Sequence, residues 1–216
     1  MNGLIKTLWG AAFVLWGSVS VAGASGDRPV TILAFGDSLT AGYGLYRGES
    51  LPDQLEVALD ARGVKASIVN AGVSGDTTAG GRARLAWTLD GMDSAPDLVI
   101  LALGANDGLR GIDPALTRTN IAAMIETLQD RDVPVLLAGM LAPPNMGPEY
   151  AEEFNSIFPD LADDYGVALY PFLLDGVAAE AELNQSDGMH PNADGVAVIV
   201  ERLTPVVERA IQDEMR

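Results

Sequence analysis

The chain carries one histidine, His190, in the run Ser186-Asp187-Gly188-Met189-His190-Pro191-Asn192. A single imidazole is therefore available for proton transfer near neutral pH. Asp187 precedes it by three residues, Asp187-Gly188 is a turn signal, and Pro191 pushes His190 out of the helical region. The spacing predicts a tight loop with Asp187 folded back towards His190. Such a pair suits a serine nucleophile: the hydroxyl needs a base to attack a carbonyl, and the base needs an acceptor that orients it. Ser38 is the candidate, in Gly36-Asp37-Ser38-Leu39, directly after the apolar run Val30-Thr31-Ile32-Leu33-Ala34-Phe35. Attack on a carbonyl also places negative charge on its oxygen, and fixed donors must already point at it. Gly72 has no side chain to block approach to its N–H, Asn106 offers a neutral amide, and the backbone N–H of Ser38 is a third donor.

Each residue also has an ordinary reading. A serine after a strand often caps a helix, a lone histidine often sits in a core or on a surface, and Asp187 can serve the turn alone. Gly72 and Gly104 can simply supply turn geometry. The joint pattern is what favours catalysis.

Residues so far apart need a fold that gathers them. Apolar runs predict strands at Val30–Phe35, Ala66–Asn70, Leu98–Leu103, Pro134–Gly139 and Val167–Tyr170, mostly continuous, as in a parallel sheet buried on both faces. Between them, Ser50-Leu51-Pro52 opens a helix that Gly63 closes, and Asp113-Pro114 opens another through Ile121, Met124, Ile125 and Leu128. A last helix follows Pro191-Asn192 and carries Val196, Ile199, Val200, Leu203, Val206 and Val207. Strand–helix alternation predicts a three-layer α/β sandwich. In open α/β sheets, sites form beyond the carboxyl ends of the strands. Ser38, Gly72 and Asn106 follow the first three strands, and the irregular stretch Pro143–Pro148 follows the fourth.

The chain has 216 residues, 48% of them hydrophobic, enough for one domain with a sizeable core. Part of that apolar content belongs to the N-terminus. Lys6 is the only charge before Asp27, an apolar stretch runs from Leu8 to Val21, and Ala22-Gly23-Ala24 follows. This describes a secretory signal peptide. Cleavage after Ala24 is expected, leaving a domain over residues 25–216, periplasmic or secreted and with no stable membrane insertion. A retained anchor is the alternative, since the uncharged run from Thr7 to Gly26 has the length of a span. The absence of cysteine excludes a lipobox and disulfides; a domain of this size needs no staple.

Thirteen basic residues face 30 acidic ones, a net charge of −17. Nucleic acid is a poor partner for such a surface, because affinity there comes mainly from neutralising phosphates. The acidity reads as solubility and weighs mildly against highly anionic substrates. One histidine and no cysteine leave only carboxylates as further metal ligands. There is no phosphate-binding loop with Lys-Ser or Lys-Thr, and no spaced Gly-x-Gly-x-x-Gly after a strand. Oligomeric state is left open.

The chain resembles the SGNH, or GDSL-type, hydrolase family in four blocks that span the mature sequence in order. They are Phe35-Gly36-Asp37-Ser38-Leu39-Thr40-Ala41-Gly42-Tyr43-Gly44, Asn70-Ala71-Gly72-Val73-Ser74-Gly75-Asp76-Thr77, Leu103-Gly104-Ala105-Asn106-Asp107-Gly108-Leu109-Arg110-Gly111 and Asp187-Gly188-Met189-His190-Pro191-Asn192. It is most similar to the bacterial branch of multifunctional acyl-CoA thioesterases, lysophospholipases and arylesterases. Ala105 departs from that branch, where glycine is usual. The resemblance implies a flavodoxin-like α/β/α sandwich with a five-stranded parallel sheet, and no metal or cofactor. It implies Ser38 as nucleophile, His190 as base then acid, Asp187 as orienting acid, and the Ser38 and Gly72 amides with the Asn106 side chain as oxyanion donors. The expected substrates are small esters or thioesters with an acyl chain, and Leu109, Leu141, Pro144 and Met146 are candidates to line an acyl groove. A carbohydrate O-acetylesterase is the alternative enzyme, and a non-catalytic binding protein the alternative of another class.

Overall fold

The computed structural model describes residues 28–214; the leader expected over residues 1–24 lies outside them. The apolar runs form five strands: β1 (Val30–Gly36), β2 (Ala66–Gly72), β3 (Leu98–Ala102), β4 (Val135–Ala138) and β5 (Ala168–Tyr170). Every pairing is parallel, and the order β2-β1-β3-β4-β5 is the flavodoxin-like arrangement. β3 and β4 are buried at every position, because parallel crossovers lay helices over both faces. β2 departs from that expectation. It forms an edge, and none of its residues is fully buried.

Among the described residues, seven α-helices complete the layers: α1 (Ser38–Ala41), α2 (Leu51–Ala61), α3 (Thr78–Asp90), α4 (Ala105–Arg110), α5 (Pro114–Gln129), α6 (Pro148–Tyr165) and α7 (Ala193–Glu214). α2 packs on α7, while α5 packs between α3 and α6. Ser50 caps α2, its side chain accepting from Asp53 N, and Pro52 sits in the first turn, where a missing N–H costs nothing. Asp113 caps α5 by accepting from Ala115 N. α7 buries Val196, Ile199, Leu203 and Val207, a three-to-four spacing that keeps one face against the sheet.

α3 and α6 were not marked by the sequence. α3 holds two glycines, and its only buried large apolar side chains are Leu85 and Leu89. α6 begins at Pro148 and contains Pro159, yet Phe154, Ile157, Phe158 and Leu161 give it a continuous buried stripe. Its start also divides the stretch Pro143–Pro148. Pro144–Met146 forms a short 3₁₀ turn, and Pro148 opens the helix.

β1, β2 and β3 end in register, with Gly36 opposite both Gly72 and Ala102. The loops that leave these ends start side by side, at the point where strand order reverses between β1 and β3. No helix among the described residues is long and apolar enough to cross a membrane.

Candidate active site

Asp37 lies between β1 and α1 and caps the helix. Its Oδ1 accepts from Leu39 N at 3.0 Å, a local bond that turns the backbone and places Ser38 at the first helical position, 8% exposed. The carboxyl of Asp37 is 1% exposed. Burial pushes its pKa up to about 6, against the N–H of Leu39, the Asn106 amide and the charge of His190, which pull it down.

At the other end of the chain, Asp187 folds its own loop. Its Oδ1 accepts from Met189 N at 2.9 Å and His190 N at 3.0 Å, and its Oδ2 meets His190 Nδ1 at 2.7 Å. The two backbone N–H groups and then the imidazole hold this carboxyl down to about 2. An ionised carboxylate only accepts, so Nδ1 carries the proton and Nε2 presents its lone pair. Nε2 lies 2.9 Å from Ser38 Oγ, across a separation of 152 residues. The hydroxyl therefore donates to the imidazole, which donates to the carboxylate. This arrangement can remove a proton from Ser38 as the oxygen attacks, and return it to a leaving group.

Asn106 stands on α4, its Nδ2 donating to Asp76 O at 2.9 Å and to Asp37 Oδ2 at 3.3 Å. The next residue, Asp107, is fully buried. It accepts from Thr78 N at 2.9 Å, Thr78 Oγ1 at 2.5 Å and Thr117 Oγ1 at 3.3 Å, tying α4 to α3 and α5. Arg84 braces the same corner. Its Nε donates to Asp76 Oδ2 at 2.7 Å and its Nη2 to Gly36 O at 2.9 Å, with the guanidinium 3.9 Å from the centre of the Phe35 ring. No role for Asp107 or Arg84 was legible in the sequence; their bonds to Thr78 and Gly36 span 29 and 48 residues.

Gly72 does not present the free donor expected of it. Its N–H is given to Asn70 Oδ1 at 3.0 Å. Its lack of a side chain serves packing instead, since a Cβ would lie 2.2 Å from Ala41 N in α1. Gly75, three residues on, has an N–H that gives no hydrogen bond among the described residues. That residue has φ +83° and accepts at its carbonyl from Arg110 Nη2 at 2.8 Å, next to the Asp76 carbonyl that receives Asn106. The Gly75-Asp76 turn signal was the available clue.

Ser38, Asn106 and His190 open onto a cavity of about 540 Å³, within the range of small-molecule sites. Leu109, Leu141 and Pro144 line it, together with Met140, Phe172 and Met189. Met146 does not. The 3₁₀ turn carries it away, to a separate groove beside Tyr150 and Glu153, where its terminal methyl lies against Gly111. Leu109 and Leu141 are about half exposed at the mouth.

Residues 34–198 match the GDSL-like lipase/acylhydrolase family. An arylesterase from Vibrio mimicus is 38% identical over 190 residues, 88% of this chain and 92% of that protein. The Escherichia coli K12 protein called thioesterase 1/protease 1/lysophospholipase L1 is 34% identical over 203 residues, 92% of this chain and 94% of that one. Among solved structures, AlinE4, described as an SGNH-hydrolase family esterase, is 49% identical with a TM-score of 0.74, over 86% of this chain and 98% of its own.

Proposed function

The chain belongs to the GDSL-like lipase/acylhydrolase family and is an esterase of the SGNH type; from that premise we propose that it cleaves carboxylic esters and acyl thioesters through an acyl-enzyme on Ser38. One observation carries this reading. A single imidazole joins Ser38 Oγ at 2.9 Å to Asp187 at 2.7 Å. In the first half-reaction Oγ bonds to the acyl carbon while its proton passes to His190 Nε2. The tetrahedral intermediate collapses, and His190 gives that proton to the departing alcohol or thiol. Water repeats the sequence on the acyl-enzyme, releasing the acid and restoring Ser38.

The oxyanion is assigned to the N–H of Ser38, the N–H of Gly75 in place of Gly72, and Asn106 Nδ2. Asn106 exchanges its longer bond, the 3.3 Å contact to Asp37, for the oxyanion and keeps Asp76 O as its pivot. The acyl chain takes the cavity between Leu109, Leu141 and Pro144, which suits medium or longer chains. Aryl esters, lysophospholipids and acyl thioesters are the substrate classes, in keeping with the names of the two relatives. Residues 1–24 act as a cleaved leader that sends residues 25–216 to the periplasm or beyond. That location disfavours acyl-CoA, a cytosolic substrate, and so does the net charge of −17. Neutral nitrophenyl esters should therefore outpace acyl-CoA at low salt, and equal rates would remove the electrostatic argument.

The test of the nucleophile is intact-protein mass spectrometry after exposure to a fluorophosphonate. One covalent adduct on the protein, absent from Ser38→Ala, is the expected result. Absence of an adduct on folded protein would overturn the assignment. An ester series of rising chain length then tests the cavity, and activity confined to acetate would sink the acyl assignment.

A further inference from the structure

The contact between His190 and Ser38 is one hydrogen bond between segments 152 residues apart. A loop-borne imidazole needs a stronger tether than that, and Gln185 supplies one. The two amide hydrogens of its Nε2 face two carbonyls, Tyr43 O at 2.7 Å and Pro191 O at 3.0 Å. The first belongs to the turn that follows α1, the second to the neighbour of His190. Gln185 N also donates to His190 O at 2.8 Å, and Gln185 O accepts from Gly188 N at 2.9 Å. One residue thus brackets the Asp187–His190 loop and ties it to the segment that carries Ser38.

Two neighbours are fitted to this arrangement. Gln185 Oε1 lies over Gly44, where a Cβ would come within 2.1 Å of it. The ring of Tyr43, whose carbonyl Gln185 holds, lies against the imidazole with centroids 4.7 Å apart and planes inclined by 40°. Asn184, adjacent to Gln185, is buried and donates to Val177 O and Glu180 O, fixing the base of the loop.

We propose that the side-chain amide of Gln185 is a positioning residue for the reaction, setting the register of the His190 loop against Ser38. The proposal rests on the reading of Ser38 and His190 as nucleophile and base. Gln185 reaches no reacting atom, so its removal should alter the distance and angle between Nε2 and Oγ while the cavity stays as it is. Misplacement of a catalytic group by about 1 Å is enough for a ~100-fold loss.

Gln185→Met removes both donors at similar size, and Gln185→Asn keeps the amide but draws it back by one methylene. With one histidine in the chain, the imidazole nitrogen signals in a 15N NMR spectrum belong to His190 alone and report hydrogen bonding at both nitrogens. Both variants are expected to keep the Tm and KM of the native protein, lose ~10- to 100-fold in kcat, and shift the Nε2 signal. Native kcat with an unchanged Nε2 signal in Gln185→Asn would overturn the proposal. So would a kcat loss matched by loss of folded protein, with the folded fraction showing native imidazole signals. Fluorophosphonate labelling separates the two levels of failure. A native protein that takes no label removes the reading of Ser38, whereas native-rate labelling of both variants removes only the role of Gln185.

Discussion

Ser38 and Asn106 stand over side chains withdrawn from water. Asp37 is 1% exposed and Asp107 fully buried, and their partners come from α1, α3, α4 and α5. His190 and Asp187 ride on a loop, with side chains 19% and 32% exposed, and their supports are backbone groups of that loop and the Gln185 amide. One half of the site is thus continuous with the core, and the other is laid against it. The buried half should be coupled to the stability of the whole protein, because a buried acceptor that is removed strands its donors. The loop half should be coupled chiefly to turnover.

The largest expected effects test whether the halves act as one unit. Ser38→Ala and His190→Ala should each lower kcat roughly a millionfold, and the double variant should lose little more, since a triad is not additive. Asp187→Asn should cost roughly ten-thousandfold, and Asn106→Ala roughly a hundred- to a thousandfold. Steady-state kinetics on one nitrophenyl ester measures the series, and near-native turnover by Ser38→Ala would mean the nucleophile lies elsewhere.

A smaller effect separates the halves. Asp107→Ala leaves the Thr78 N–H and two hydroxyls without their acceptor, and should cost about 1–3 kcal/mol of stability along with activity. Asp187→Asn should leave urea unfolding within about 0.5 kcal/mol of native. Equal destabilisation by the two variants would erase the contrast between core-borne and loop-borne halves.

A last effect is one of pH. Asp37 titrates at about 6 in the folded protein but near ~3.9 when unfolded. Between those values the folded state binds the extra proton, so the contribution of this carboxyl is full below about pH 4 and is lost as pH rises through about 6. Asparagine can still cap α1. The unfolding free energy of the native protein should therefore fall relative to Asp37→Asn from pH 4 to 7, and a constant difference would show that Asp37 holds no such proton. Asp187 works in the opposite direction. Solvent reaches this carboxylate, a third of which is exposed, so its contribution is small: held down to about 2 when folded, it stabilises weakly above about pH 4 and less as pH falls towards 2.

Legibility in the sequence followed the range of the interactions. The strands showed as apolar runs, and the Asp187–His190 turn showed in a spacing of three, because both depend on neighbours. The fate of Gly72 depended on Asn70 and on the approach of α1, which no local pattern reveals. Met146 looked placed for the cavity until Pro144 tightened its segment into a 3₁₀ turn. Asp107 and Gln185 were silent for one shared reason. Their partners lie 29 and 142 residues away, and a buried acceptor and a bridging amide leave no periodic trace. α6 escaped notice because its two prolines are punctuation in a sequence, although its aromatic stripe packs as in any core helix.

The placement of Ser38 near the start of the fold and His190 near its end also sets a schedule for manufacture. A ribosome releases the nucleophile early, while β1 still lacks both its sheet neighbours, β2 and β3, and releases the imidazole only after every strand has been made. Until then the serine is an ordinary alcohol. A chain that stops just short of residue 190 contains every strand of the sheet but neither the imidazole nor α7, so its serine has no base, and acyl transfer waits on the last part of the polypeptide to be made.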